Sequence, residues 1–341
     1  MKKAITRVSA LLLAASTGLS LTGCGASAKS GDLTPVTLNE VAHSIFYAPQ
    51  YAAIELGYFE EEGIDLTLVN GGGADKVMTA LVSGDADIAF CGSEASIYTY
   101  AQGAEDYAVN FAQLTQRAGN FLVGRTPDDA FTWEKLKGTK VLGGRAGGMP
   151  QMVFEYILKK NGIDPKTDLT IDQSISFGLT AAAFTSDDSN YTVEFEPFAT
   201  SLETEDAGYV VASLGTDSGY VPYTAYSAKK SFLTENPELI QSFTRALQKG
   251  MDYVNSHSSE EIAKTIQPQF KETSLEQITK IVDRYKAQDT WKENLIFEKD
   301  SFELLQNILE EAGELTVRVP YEELVTTEFA KAAADSEAIS K

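Results

Sequence analysis

The stretch from Ser44 to Glu94 constrains this chain more than any other. It opens SIFYAPQYAAIELGYFEEEGIDLTLV and continues NGGGADKVMTALVSGDADIAFCGSEA. Pro49 suits a first helical turn, where its missing N–H would be unpaired anyway. Tyr47, Tyr51 and Ile54 then share one face, and Gly57 stands where a left-handed cap is needed. Ile64, Leu66 and Leu68 alternate with Asp65 and Thr67, as in a strand. Beyond Gly71-Gly72-Gly73, the residues Val77, Met78, Leu81 and Val82 mark a second helix, ended by Gly84. Asp87 to Phe90 is a short strand with the exit loop Gly92-Ser93-Glu94. Loop, helix, strand, Gly-rich loop, helix, strand and loop build one edge of a small-molecule cleft at the carboxyl ends of parallel strands.

The first 24 residues bear on localisation. Lys2, Lys3 and Arg7 form a basic region ahead of the short apolar run Val8–Leu13, Ala14 and Ala15, and Leu21-Thr22-Gly23-Cys24 follows. That run is too short for a comfortable membrane span, so a cleaved export signal is expected. Gly25 to Asp32 reads as a flexible tether. The chain has 341 residues, enough for two domains, and a net charge of −21. Residues 1–23 hold three cations and no acids, so the remainder carries 25 Lys and Arg against 49 Asp and Glu, or −24. No basic cluster is present to meet a phosphate backbone, which argues against a nucleic-acid partner.

From Glu94 onward the pattern continues with a helix over Ala95–Gly103 and a strand near Ala108–Leu114. A crossing between lobes is expected at Gln116–Asn120. A brief helix spans Phe131–Leu136, with Thr132 a candidate cap. A strand at Lys140–Gly143 leads through Gly144-Arg145-Ala146-Gly147-Gly148 into a helix over Pro150–Lys160, and a further strand covers Leu169–Ile175. The segment from Ala181 to Ala199, AAAFTSDDSNYTVEFEPFA, echoes the layout of TALVSGDADIAFCGSEA. After a strand over Gly208–Leu214, Tyr220–Ser227 is expected as the return crossing. Helical periodicity then marks Pro237–Asn255, Glu260–Ile266, Leu275–Gln288, Phe302–Glu311 and Tyr321–Ala333, with fraying from Ala334. The expected architecture is α/β: two lobes, one from 35–118 plus 224–341 and the other from 119–223, with the helical tail packed on the first.

YAPQYAAIELGYFEEEGIDLTLV, GGGADKVMTALVSGDADIAF, GTKVLGGRAGGMPQMVFEYILKKNGID and VEFEPFATSLE together resemble the solute-binding proteins of ABC importers. The similarity is to the group that serves nitrate, sulfonate, taurine and thiamine-pyrimidine uptake. The resemblance implies a type II periplasmic-binding-protein fold whose lobes close on a ligand and hand it to a membrane permease with its ATPase. It also implies a bacterial lipoprotein signal cleaved before Cys24, with that thiol lipidated and the protein anchored at the outer face of the cell membrane. No catalysis and no cofactor are expected, and the protein is expected to act as a monomer. The favoured cargo is a small planar nitrogen heterocycle such as a thiamine pyrimidine precursor. A sulfonate, taurine or nitrate anion is the alternative.

Each candidate cleft residue has a second reading. Phe46 and Tyr47 either stack on a planar ligand or pack as loop aromatics. Ser44 donates to a ligand or caps its own turn. Gly72 and Gly73 admit a close backbone approach or a positive-φ turn. Ser93 and Glu94 contact a ligand or compensate a helix dipole. Arg145, beside Gly148 and Met149 at a helix start, pairs with an anionic ligand, pairs with Glu94 or Glu196 across the cleft, or is solvated. Glu196, held extended by Pro197, would accept from amine or ring N–H groups. Tyr220 is a further wall candidate, as are Phe184 and Tyr223.

A pyrimidine synthase of thiamine biosynthesis shares this architecture, but it needs a His ten residues before the Gly of its GYF motif and a Cys-rich iron-binding run. That position here is Tyr47, His43 lies four residues too early, and the chain has only two Cys and two His. Neither GGGADK nor GGRAGG has phosphate-loop or GxGxxG spacing. With Cys24 lipidated, Cys91 has no partner and reads as a packed thiol.

Overall fold

The computed structural model describes residues 33–175 and 178–340. The expected signal, Cys24 and the tether lie outside these residues.

Buried Val36 and Leu38 set the inward face of Thr34–Glu40 (β1). The chain then turns into Ala48–Glu55 (α1) and Tyr58–Glu61 (α2), separated by Gly57 at φ 73°. Ile64–Asn70 (β2) pairs in parallel with β1 along its whole length, from Thr34 opposite Ile64 to Glu40 opposite Asn70. Ala74–Ser83 (α3), Ile88–Gly92 (β3), Glu94–Ala101 (α4) and Ala108–Thr115 (β4) complete this first run. Both β3 and β4 are buried throughout, and β4 carries Asn110, Gln113 and Thr115 within that buried run.

The second run begins at Phe121–Gly124 (β5), which the sequence reading did not anticipate, and continues with Lys140–Leu142 (β6), Met149–Lys160 (α5) and Thr170–Asp172 (β7). Thr180–Ser186 (α6), Tyr191–Glu194 (β8), Phe198–Thr204 (α7), Tyr209–Ser213 (β9) and Leu214–Ser218 (α8) follow. Thr224–Lys229 (β10) then returns to the first sheet.

The two sheets have the same plan. Their strand orders are β2-β1-β3-β10-β4 and β7-β6-β8-β5-β9. In each, one strand runs antiparallel between two neighbours: β10 between β3 and β4, and β5 between β8 and β9. The sheets are therefore mixed, and the antiparallel member of each is the strand laid down immediately after a crossing. The echo in the sequence is real at this level, since α3–β3–α4 and α6–β8–α7 occupy equivalent places.

The crossings run from Gln116 to Asn120 and from Leu214 to Tyr223. The second ends earlier than expected, because Thr224–Ser227 are held inside the first sheet. Tyr226 lies parallel to Phe90 at 4.1 Å between ring centroids and donates to Gln50 Oε1 at 2.8 Å.

The tail consists of Lys230–Glu235 (α9), Pro237–Ser256 (α10), Ser259–Ile266 (α11), Leu275–Ala287 (α12), Lys299–Ala312 (α13), Tyr321–Leu324 (α14) and Glu328–Ser340 (α15). Capping boxes at Ser258/Glu261 and Ser274/Gln277 start α11 and α12. Helix α10 packs on α1 so closely that a Cβ on Gly250 would lie 2.2 Å from the carbonyl oxygen of Pro49. The helix expected over Tyr321–Ala333 is interrupted, because Val325 bridges to Asn110 and the Thr326 N–H donates to the Asn110 carbonyl at 2.9 Å. Helix α15 runs through the residues expected to fray. Besides packing on the first lobe, the tail reaches the second: α13 packs on α5, and α12 is tied to α7. No helix among the described residues is long and apolar enough to cross a membrane.

Candidate functional site

Because the sheets share one plan, the turns at the carboxyl ends of corresponding strands meet face to face. Val41–Tyr47 after β1 corresponds to Gly144–Met149 after β6. Gly72–Lys76 after β2 corresponds to the turn leading to Thr180 after β7. Gly92 and Glu94 after β3 correspond to Glu194–Phe198 at the end of β8. These turns, with Asn120 and Tyr223 from the crossings and Thr224 from β10, enclose a cleft of about 330 Å³. Ligands in open α/β folds bind at such strand ends, where helix amino ends present free N–H donors.

Most of the candidate residues line this cleft: Ser44, Tyr47, Gly72, Gly73, Glu94, Arg145, Gly148 and Met149, together with Tyr223. Ser44 Oγ accepts from the Phe46 N–H at 3.3 Å and donates to the Glu196 carbonyl at 2.9 Å, so it both caps its turn and joins the lobes. Tyr47 stands edge-on to Phe90, with ring centroids 4.5 Å apart. Burial beside Glu40, Cys91 and Glu94 pushes its hydroxyl pKa well up, so it stays neutral. Gly73 has φ 148°, a conformation open to glycine alone, and a Cβ there would press on Asp75 at 2.8 Å. Arg145 pairs with Asp75 at 3.2 Å, not with Glu94 or Glu196, and both partners are more than half exposed.

Phe46, Ser93, Glu196 and Tyr220 are not brought to the cleft wall. In the 3-10 turn Ile45–Tyr47, Phe46 packs behind the wall in a cluster with Tyr47, Phe195, Tyr223 and Tyr285 at 5.2–6.0 Å. Ser93 is buried and its hydroxyl donates to the Pro222 carbonyl. The Glu196 carboxylate is consumed by Arg284 and by the N–H and hydroxyl of Thr200, at 2.9 and 3.0 Å. Tyr220 is half exposed, donates to Asp289 at 2.7 Å and stacks under Arg117. Phe184 is buried beneath Arg125.

Several wall residues were not read from the sequence, chiefly Asn120, Glu194, Phe195 and Phe198. Glu194 accepts from Thr180 at 3.0 Å and Thr192 at 2.6 Å, and burial pushes its carboxyl pKa up to about 7. Its signal was present in VEFEPF, where Glu194 and Glu196 stand two apart; the Glu before proline attracted the assignment. Glu94 is likewise raised to about 7 by burial, eased by the backbone N–H groups of Glu94 and Met149. Its Oε2 has no hydrogen-bond partner, and the same holds for Asn120 Nδ2, whose Oδ1 accepts from Tyr223 at 2.7 Å.

His43 lies off the cleft wall, between Glu40 at 2.8 Å and the Gln269 carbonyl at 2.9 Å. Cys91 is buried and its thiol pKa is driven up, opposite to a reactive thiolate. Among the described residues no group of three His, Cys, Asp or Glu is placed to hold a metal.

The sequence profile described as NMT1/THI5 like matches residues 45–261, well over half of the chain. The chain belongs to the NMT1/THI5-like family. Within it, a Bacillus subtilis (strain 168) protein named "Putative binding protein YtlA" is 45% identical over 299 residues, covering 88% of this chain and 90% of that one. The 4-amino-5-hydroxymethyl-2-methylpyrimidine phosphate synthase of Aspergillus parasiticus is 24% identical over 231 residues, covering 61% and 63%. The solved structure of the alkanesulfonate-binding protein SsuA from Xanthomonas axonopodis pv. citri, bound to MOPS, superposes with TM-score 0.70 at 15% identity. That match covers 87% of this chain and 100% of that one and shows a shared periplasmic-binding-protein fold.

Proposed function

We propose that this chain is the extracytoplasmic solute-binding component of an ABC-type importer and not an enzyme. It captures a small planar nitrogen-bearing molecule between two lobes and delivers it to a permease driven by an ATPase. The observation that carries the reading is the pairing of equivalent strand-end turns from two like-built sheets around one cleft. The YtlA relative, named as a binding protein across nearly its full length, supports it. The enzymatic relatives are more distant, and Tyr47 stands where their histidine would be needed.

The moving bodies are residues 35–118 with 224–341, and residues 119–223. Gln116–Asn120 and the segment ending at Tyr223 take up the rotation, and ligand favours the closed form through its higher affinity for it. In this reading the chain is cleaved before Cys24, that thiol carries lipid, and the protein works as a monomer at the outer face of the membrane. A thermal-shift panel of pyrimidines, sulfonates and nitrate tests the cargo, since a ligand at 100 times its Kd stabilises by about 2.7 kcal/mol. A pyrimidine-type compound is expected to raise the melting temperature and reduce the radius of gyration in X-ray scattering. A response to sulfonates or nitrate alone overturns the cargo, and binding without compaction overturns closure.

A further inference from the structure

Charge balance in the cleft says more about the ligand, given the binding reading above. Its carboxylates and cations are Asp75, Lys76, Glu94, Arg145 and Glu194. Asp75 and Arg145 neutralise each other, and Lys76 is exposed. Glu94 and Glu194 are only 3% and 2% exposed, one beside each sheet. Their recorded partners are hydroxyl and backbone N–H groups, none of them cationic. A carboxylate buried without a counter-charge is destabilising, because nothing replaces the hydration it gave up.

The local geometry keeps Glu94 there nonetheless. A Cβ on Gly92 would sit 2.1 Å from Glu94 Oε2, so a bare backbone at Gly92 is what makes room for the carboxylate. Oε2 is left buried at the cleft with no partner. At the same time the carboxylate faces the Met149 N–H at the amino end of α5, the position an anionic ligand would otherwise take. The chain supplies its own anion to that helix and leaves an unused acceptor beside it.

We propose that Glu94 and Glu194 are the counter-ions for an organic cation, an ammonium, amidinium or protonated ring nitrogen, and that they select it over neutral and anionic solutes. The positive charge arrives with the ligand and relieves two uncompensated acids together.

The test uses four planar probes of nearly equal shape on the purified chain at pH 8: benzamidinium, benzamide, benzoate and benzenesulfonate. Benzamidinium is expected to raise the melting temperature more than the other three. Glu94→Gln and Glu194→Gln are each expected to weaken its Kd at least ten-fold and to narrow its advantage over benzamide. Without probe, both variants are expected to melt at or above the parent temperature, which reports that they fold. The proposal fails if benzamidinium shows no advantage over its isosteres, including no shift at all, or if the glutamine variants keep that advantage. A shift from benzenesulfonate alone ends the cation assignment and leaves the binding reading standing; that reading falls instead by the scattering test above.

Discussion

The guanidinium of Arg284 clamps the buried carboxylate of Glu196, and its other nitrogen reaches Glu203 at 2.8 Å. A tail helix is thereby fastened to the second lobe through a charge pair whose acid is fully enclosed. Removing one member of such a pair strands a buried charge, which costs about 3–5 kcal/mol. Arg284→Met is expected to lose stability on that scale in urea denaturation, and adding Glu196→Gln is expected to recover part of it. A loss below about 1 kcal/mol would class the pair with ordinary surface bridges.

Glu194 makes stability depend on pH in a defined window. Its folded carboxyl pKa of about 7 lies above the ordinary 4.5, so the folded state holds its proton longer than the unfolded chain does. Stability contributed by this group therefore declines as pH rises from about 4.5 to about 7 and levels off above. The shift corresponds to on the order of 3 kcal/mol. Glu194→Gln is expected to reduce that limb of a denaturation series from pH 4 to 8, with Glu94 supplying what remains, and an unchanged slope would count against the assignment.

His43 acts in a different window. Its hydrogen bond to Glu40 raises its pKa above 6.5, against a smaller opposing effect of burial. Its contribution is fully present below pH 6.5 and is lost as pH climbs through the folded value. The stability gap between the parent and His43→Gln should therefore narrow from pH 6 to pH 9, and an NMR titration of the ring should report a midpoint above 6.5. A midpoint below 6.5 would contradict the hydrogen bond.

Gly250 tests the seat of the tail on the first lobe. Glycine to alanine inside a helix ordinarily stabilises by about 1 kcal/mol. Here the added methyl would meet Pro49 O at 2.2 Å and Ala53 Cβ at 2.9 Å, so overpacking of about 1–3 kcal/mol should win. Gly250→Ala is expected to lower the melting temperature, and a rise would show that α10 and α1 can separate at little cost.

Local patterns carried much of the fold. The alternation of Ile64, Leu66 and Leu68 and the apolar spacing of Val77, Met78 and Leu81 placed β2 and α3 because each element shows its buried face within one short window. Strand β5 escaped because Phe121–Gly124 is four residues long, wholly buried and without alternation. At the cleft, Ser44, Tyr47, Glu94 and Arg145 were legible from their places at strand exits. What each one touches was not. Arg145 meets Asp75 seventy residues away and Glu196 meets Arg284 eighty-eight residues away, and such distances leave no periodic trace. Glu194 and Glu196 differ by two positions in sequence and entirely in partner: Arg284 and Thr200 hold Glu196, and Thr180 and Thr192 hold Glu194 at the cleft.

The position of β10 has a consequence for how the molecule is assembled. Every strand of the second sheet lies within one unbroken stretch, 121–213, whereas the first sheet lacks a central member until residues 224–229 arrive. A chain emerging with its amino end first must therefore hold β3 and β4 without the strand that joins them while the entire second sheet goes by. Long-range pairing of this kind is slow. The lobe begun first is therefore the lobe finished last.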